Sequence, residues 1–160
     1  MLTGSLFGIQ HPNSLLRQDE PGHFVDVTAA AGIELAAPTR TASFADIDRN
    51  GDLDLYVGYE SERQADGGLR FPSKLWRNDG HGKFTDVSAS AGIVTATRPI
   101  GAVFGDVDGD GDPDLYVSNF LASNHLFINQ GDGTFREEAT ARGVATPIAS
   151  GPCGFLDHDN

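Results

Sequence analysis

Asp106 to Asp114 reads DVDGDGDPD and leads straight into Leu115-Tyr116-Val117-Ser118. Earlier in the chain, Asp46 to Asp54 reads DIDRNGDLD and leads into Leu55-Tyr56-Val57-Gly58. An acidic stretch kinked by glycine and followed by alternating apolar residues reads as a loop between two β-strands. Carboxylates this dense repel one another unless a cation sits among them. Calcium takes six to eight oxygens, and a curled loop offers them from positions 1, 3 and 5, from a backbone carbonyl at 7 and from a carboxylate at 9. The first loop then supplies Asp46, Asp48, Asn50, the carbonyl of Asp52, and Asp54. The second supplies Asp106, Asp108, Asp110, the carbonyl of Asp112, and Asp114. Asn50 still brings an amide oxygen to position 5. Gly51 and Gly111, at position 6, permit the sharp turn.

Other cation sites fit the pattern less well. An EF-hand needs flanking helices and a bidentate Glu at position 12, where this chain has Val57 and Val117 inside strand-like sequence. Zinc favours His or Cys, and neither loop contains one. Magnesium favours a rigid octahedron that keeps several waters. A third loop begins at Asp157 and Asp159, in the final LDHDN.

The loops belong to a longer repeat. Three copies of one phrase, FVDVTAAAGI from Phe24, FTDVSASAGI from Phe84 and FREEATARGV from Phe135, each stand 22 residues before an aspartate loop. Upstream, Leu75 to Phe84 (LWRNDGHGKF) aligns with Leu126 to Phe135 (LFINQGDGTF). One loop, Tyr59 to Ser73, absorbs the whole difference in period, as a surface loop on a rigid repeat does. The pattern predicts four short strands per repeat. The first covers Ala42 to Ile47 and Ala102 to Val107. The second covers Leu53 to Gly58 and Leu115 to Ser118. The third covers Lys74 to Arg77 and His125 to Ile128, and the fourth Lys83 to Val87 and Thr134 to Glu137. Thr28 is expected to cap a short helical turn that Gly32 ends. Four strands in 50–60 residues is the signature of a β-propeller blade.

The expected fold is therefore all-β, one partial propeller over residues 1–160. It comprises the end of one blade (1–33), two blades (42–88 and 101–138) and the start of a further blade (151–160). Two whole blades do not close a ring. The chain is expected to be a fragment whose remaining blades come in cis or by self-association.

Composition narrows the function. The formal net charge is −12, which disfavours nucleic acid and anionic membrane surfaces. Nine of the 23 acidic residues lie in the two loops, so the charge itself points to a metal partner. Cys153 has no second cysteine to pair with and reads as a small, partly buried residue. MLTGSLFGIQ at the start does not read as a signal peptide, and no apolar run is long enough for a spanning helix. The five histidines form no HExxH cluster and no GxSxG stands out, so an enzyme is not expected.

FADIDRNGDLDLYVG, FGDVDGDGDPDLYVS and the NDGHGKF and NQGDGTF turns resemble FG-GAP or VCBS-type repeats, which occur in integrin α-subunit propellers, cartilage-acidic-protein-like proteins and bacterial surface proteins. The resemblance implies a multi-bladed propeller with one calcium per loop, used outside the cell for adhesion or recognition. Calcium is expected to be structural. Weak extracellular-type sites need millimolar calcium, which places the protein in the secreted or cell-surface compartment. The partner is expected to be an extracellular protein or glycan. It should meet the face opposite the metal loops, where Tyr59 to Ser73 and the connectors Glu34 to Thr41 and Val94 to Ile100 bring Arg63, Arg70, Phe71 and Arg98. The alternatives are a carbohydrate-binding propeller, or a non-catalytic propeller appended to a secreted enzyme. Trp76 and Phe127 read as core rather than as sugar platforms.

Overall fold

The computed structural model describes residues 13–33, 37–60, 65, 71–93, 95, 97–146 and 150–156. Among the described residues the chain forms ten short strands and one four-residue helix. They are β1 (Leu16–Glu20), β2 (His23–Asp26), α1 (Thr28–Ala31), β3 (Thr39–Ala45), β4 (Asp54–Tyr59), β5 (Lys74–Asn78), β6 (Phe84–Asp86), β7 (Pro99–Gly105), β8 (Asp114–Asn119), β9 (His125–Asn129) and β10 (Phe135–Glu137). They form three antiparallel sheets: β1-β2, β3-β4-β5-β6 and β7-β8-β9-β10. The two four-stranded sheets are up-and-down meanders in sequence order, which is the topology of propeller blades. The fold is all-β, as expected.

Strand limits differ from the expectation in a consistent way. The first strand of each blade begins three residues early, at Thr39 and Pro99, and stops before the loop, at Ala45 and Gly105. Ile47 and Val107 leave the ladder because their N–H groups bond to Asp54 and Asp114 instead of to a neighbouring strand. Thr28 also departs from its expected role. It is the first residue of α1, with no side-chain cap ahead of it, while Gly32 closes the turn at φ +75°. The acceptor is Asp26, whose Oδ1 takes the Thr28 N–H at 3.0 Å and its hydroxyl at 2.6 Å. Asp86 does the same for Ser88, so an Asp-x-Ser/Thr turn ends the last strand of each of these units.

Strand periodicity explains how blades stack. Side chains alternate across a strand. In β4, Leu55, Val57 and Tyr59 face Leu15, Ile33 and Trp76, while Tyr56 faces the next blade with Leu115, Val117, Phe127 and Phe135. In β8, Leu115 and Val117 face back to the first blade, and Tyr116 faces Leu126, Ile128 and Val144. Each central strand is thus apolar on both faces, and each buried Leu, Ile or Val contributes about 1.5–3 kcal/mol. Trp76 and Phe127 are 7 % and 2 % exposed, so both belong to the core. Gly92 completes the stacking. At φ +79° it lies where a Cβ would stand 2.8 Å from the Phe135 carbonyl oxygen, and Phe135 N–H donates to the Ala91 carbonyl at 2.8 Å.

One cross-strand pair differs between the blades in a testable way. Lys74 on β5 pairs with Asp86 at the end of β6. The equivalent pair in the second blade is His125 and Glu137, at 3.6 Å. Burial lowers the His125 pKa below its usual value, and the opposing pull of Glu137 does not restore it. Its Nε2 is buried without a hydrogen-bond partner. A base with a depressed folded-state pKa stays neutral in the fold while the unfolded chain takes up its proton. Its contribution is therefore full above the ordinary value of 6.5 and is lost as pH falls through the lower folded value. The His125→Lys variant, which restores the first blade's pair, is expected to lose less stability than the unmodified chain between pH 7 and pH 5, measured by urea unfolding. Parallel pH dependence in the two proteins would remove this role from His125.

Candidate metal centres in the interstrand loops

Both aspartate loops connect the first strand of a blade to the second, β3 to β4 and β7 to β8. The carboxylate at position 1 closes each loop. Asp46 accepts the N–H groups of Asn50 at 3.0 Å and Gly51 at 2.8 Å. Asp106 accepts those of Gly109 at 2.7 Å and Gly111 at 2.9 Å. Burial opposes ionisation of Asp106, but the bonds from Gly109 and Gly111 outweigh it and hold its pKa below the ordinary value. Gly51 and Gly111 stand at φ +93° and +88°, which side chains rarely adopt.

Position 9 has a second duty that the ligand pattern did not reveal. Asp54 and Asp114 are fully buried. Asp54 accepts the Ile47 N–H at 3.0 Å and the Asn78 N–H at 2.8 Å. Asp114 accepts the Val107 and Asn129 N–H groups, both at 2.9 Å. Each therefore ties the start of its loop to the end of the third strand. Desolvation raises the pKa of both, more than the two N–H bonds lower it, and Asp48 with Asp46, or Asp108 with Asp110, add to the rise. The signal in sequence was the position itself, immediately before a strand apolar on both faces.

Three carboxylates converge in each loop. One oxygen each from Asp46, Asp48 and Asp54 lie within 4.8 Å of one another, and the same holds for Asp106, Asp108 and Asp114. Asp110 is outside the second group. Asn50 and Asp110 turn an oxygen to the N–H of the residue two ahead, Asp52 and Asp112, each at 2.8 Å. The side chains at position 7 point to the turns between third and fourth strands, where a Cβ on Gly80 or Gly131 would approach Asp52 or Asp112. The two kinds of turn therefore share one end of the blades. Asp48 Oδ1 is buried and takes no hydrogen bond from the protein. An all-oxygen donor set with that orphaned atom and a buried, crowded carboxylate fits a hard divalent cation. Asp157 and Asp159 lie outside the described residues.

Two arginines reach the second loop from elsewhere. Arg49, itself in the first loop at φ +55°, donates to the Asp110 carbonyl at 3.0 Å and places Nε 2.5 Å from Asp112 Oδ1. Arg142 donates to Asp108 Oδ2 at 3.1 Å and to Glu138 at 2.8 Å. Among the described residues, no cationic side chain lies in ion-pair distance of Asp46, Asp48 or Asp54.

At the opposite end, the candidate contact residues are partly engaged. Glu60 accepts from Arg40 at 2.6 Å and also pairs with Arg98, whose guanidinium stands 5.8 Å over the Phe120 ring. The Arg98 bond, reinforced by Arg40, keeps the Glu60 pKa low against burial. Phe71 packs on the cluster around Tyr59 and Trp76. Arg63 and Arg70 lie outside the described residues.

The profile of the FG-GAP-like repeat family matches residues 65–117 and 106–160, together more than half of the chain. This chain belongs to the FG-GAP-like repeat family. The two matched stretches overlap at the second aspartate loop, where Asp114 of the FG-GAP-like blade ties Val107 to Asn129 at the end of β9. Cartilage acidic protein 1 of Mus musculus and of Homo sapiens are each 36 % identical to it over 66 residues, 41 % of this chain. The match spans about a tenth of those relatives' length. No described helix is long and apolar enough to cross a membrane.

Proposed function

We propose that this FG-GAP-like chain is a calcium-stabilised, non-catalytic recognition module of an extracellular propeller. One observation supports it above others: in each loop three carboxylates face a common centre, and in the first loop one of their oxygens is buried with no protein donor. Asp46, Asp48 and Asp54, and Asp106, Asp108 and Asp114, hold the ion, with Asn50, Asp110 and the carbonyls of Asp52 and Asp112 completing the shells. The ion supplies charge neutralisation and pins the loop, with no chemistry beyond that. Recognition falls to the end of the blades away from the loops, and a complete protein lacking residues 61–70 that keeps full ligand binding would remove that assignment. The similarity to cartilage acidic protein 1 supports the extracellular setting.

Calorimetric titration tests the metal reading. Two calcium ions per chain are expected, with Kd on the order of 10⁻⁴–10⁻³ M, and Asp48→Asn should remove one. Absence of uptake at millimolar calcium would end the reading.

A further inference from the structure

Counting acidic side chains ranks the second loop first, with five aspartates against four. The tertiary contacts reverse that order. We infer that Arg142 is a built-in competitor for the second calcium site, so that the first loop fills at lower calcium. The inference rests on the calcium reading above.

The argument starts from one of the three converging carboxylates. Asp108 Oδ2 receives the Arg142 guanidinium at 3.1 Å, while the matching Asp48 keeps an oxygen buried and without a donor. A cation entering the second loop therefore has to break an existing ion pair, and among the described residues no such pair stands at the first loop. Arg142 is held for this contact from the other side, since its Nε bonds Glu138 four residues before it at 2.8 Å. Glu138 is also paired with Arg136, so it does not depend on Arg142 for neutralisation. The repeat shows that the arginine is particular to this copy: Ala31 and Ala91, both buried, occupy the equivalent place in the other two phrases. Arg49 adds a second positive charge at the loop, but on Asp112 and the Asp110 carbonyl, outside the converging group. Both side chains of the Arg142–Asp108 pair are partly exposed, so its strength is that of a surface ion pair.

Calorimetry with calcium chloride at low ionic strength tests this on the whole chain, with Asp48→Asn and Asp108→Asn assigning each binding event to a loop. The weaker event is expected to vanish in Asp108→Asn. Arg142→Gln should tighten that event by about 1.4- to fivefold, the range such an ion pair allows, and leave the stronger event unchanged. Arg142→Lys, which keeps the charge, should stay near the unmodified value. Added sodium chloride should narrow the gap between the sites. The second loop filling first, or an affinity there indifferent to Arg142→Gln, overturns the competition while leaving calcium binding intact. Lys behaving like Gln also overturns it, because the effect then comes from packing rather than charge. No uptake at either loop overturns the calcium reading and the competition together.

Discussion

Calcium at a few millimolar is expected to raise the midpoint of thermal unfolding by roughly 5–10 °C over the same protein in chelator, for a chain of this size. A ligand that binds only the folded state stabilises it by RT ln(1 + [L]/Kd). With calcium about tenfold above Kd, each of two loops contributes about 1.4 kcal/mol. The structural basis is the cost of the empty loop. Asp54 and Asp114 are buried beside other carboxylates, and desolvation already drives their pKa upward. A dication cancels that repulsion and gives Asp48 Oδ1 a partner. Magnesium at equal concentration should have a smaller effect, because it keeps its waters and demands an octahedron. A midpoint that does not move with calcium, in a chain shown to be folded, would mean that the converging carboxylates hold no ion.

Asp54→Ala is expected to cost about 3 kcal/mol even in chelator, because it leaves one buried and one partly buried N–H group without an acceptor at roughly 1–3 kcal/mol each, less the relief of a buried charge. Those groups belong to Ile47 and Asn78, so the loss unties the loop from the third strand of its blade. Asp54→Asn should cost less than Ala in chelator but still destabilise, since its one oxygen keeps one of the two bonds, its NH2 faces the other N–H, and the desolvated charge is gone. Both variants should then lose the calcium-dependent gain at the first loop. Urea unfolding with and without calcium separates the two duties. Equal, small losses for Ala and Asn in chelator would show that Asp54 acts through the ion alone.

The structure bears out the four-strand repeat and the partial propeller, and the reason lies in local patterns. The apolar and aromatic residues of LDLYVG and PDLYVS favour strands over a few neighbours, and the glycines of NDGHG and NQGDG supply the positive-φ positions that tight turns need. Strand ends were less legible. Ile47 and Val107 look like strand residues, but a carboxylate seven positions later takes their N–H groups. Thr28 has the chemistry of a cap, yet Asp26 two residues before it supplies the acceptor. In both places an acidic side chain outcompeted the local preference because it offered a charged oxygen at hydrogen-bond distance.

Residue order by itself determined which oxygens each loop can offer and on which side of a blade the loops lie, since turn chemistry and strand alternation act over a handful of neighbouring residues. Tertiary structure alone decided how the loops differ. Arg49 meets Asp110 across 61 positions and Arg142 meets Asp108 across 34, and only stacked blades bring those groups together. Spacing along a chain sets the shape of a turn, whereas the charge around it depends on side chains that arrive from distant segments. The loop with more aspartates is therefore the one that receives both arginines only through the fold.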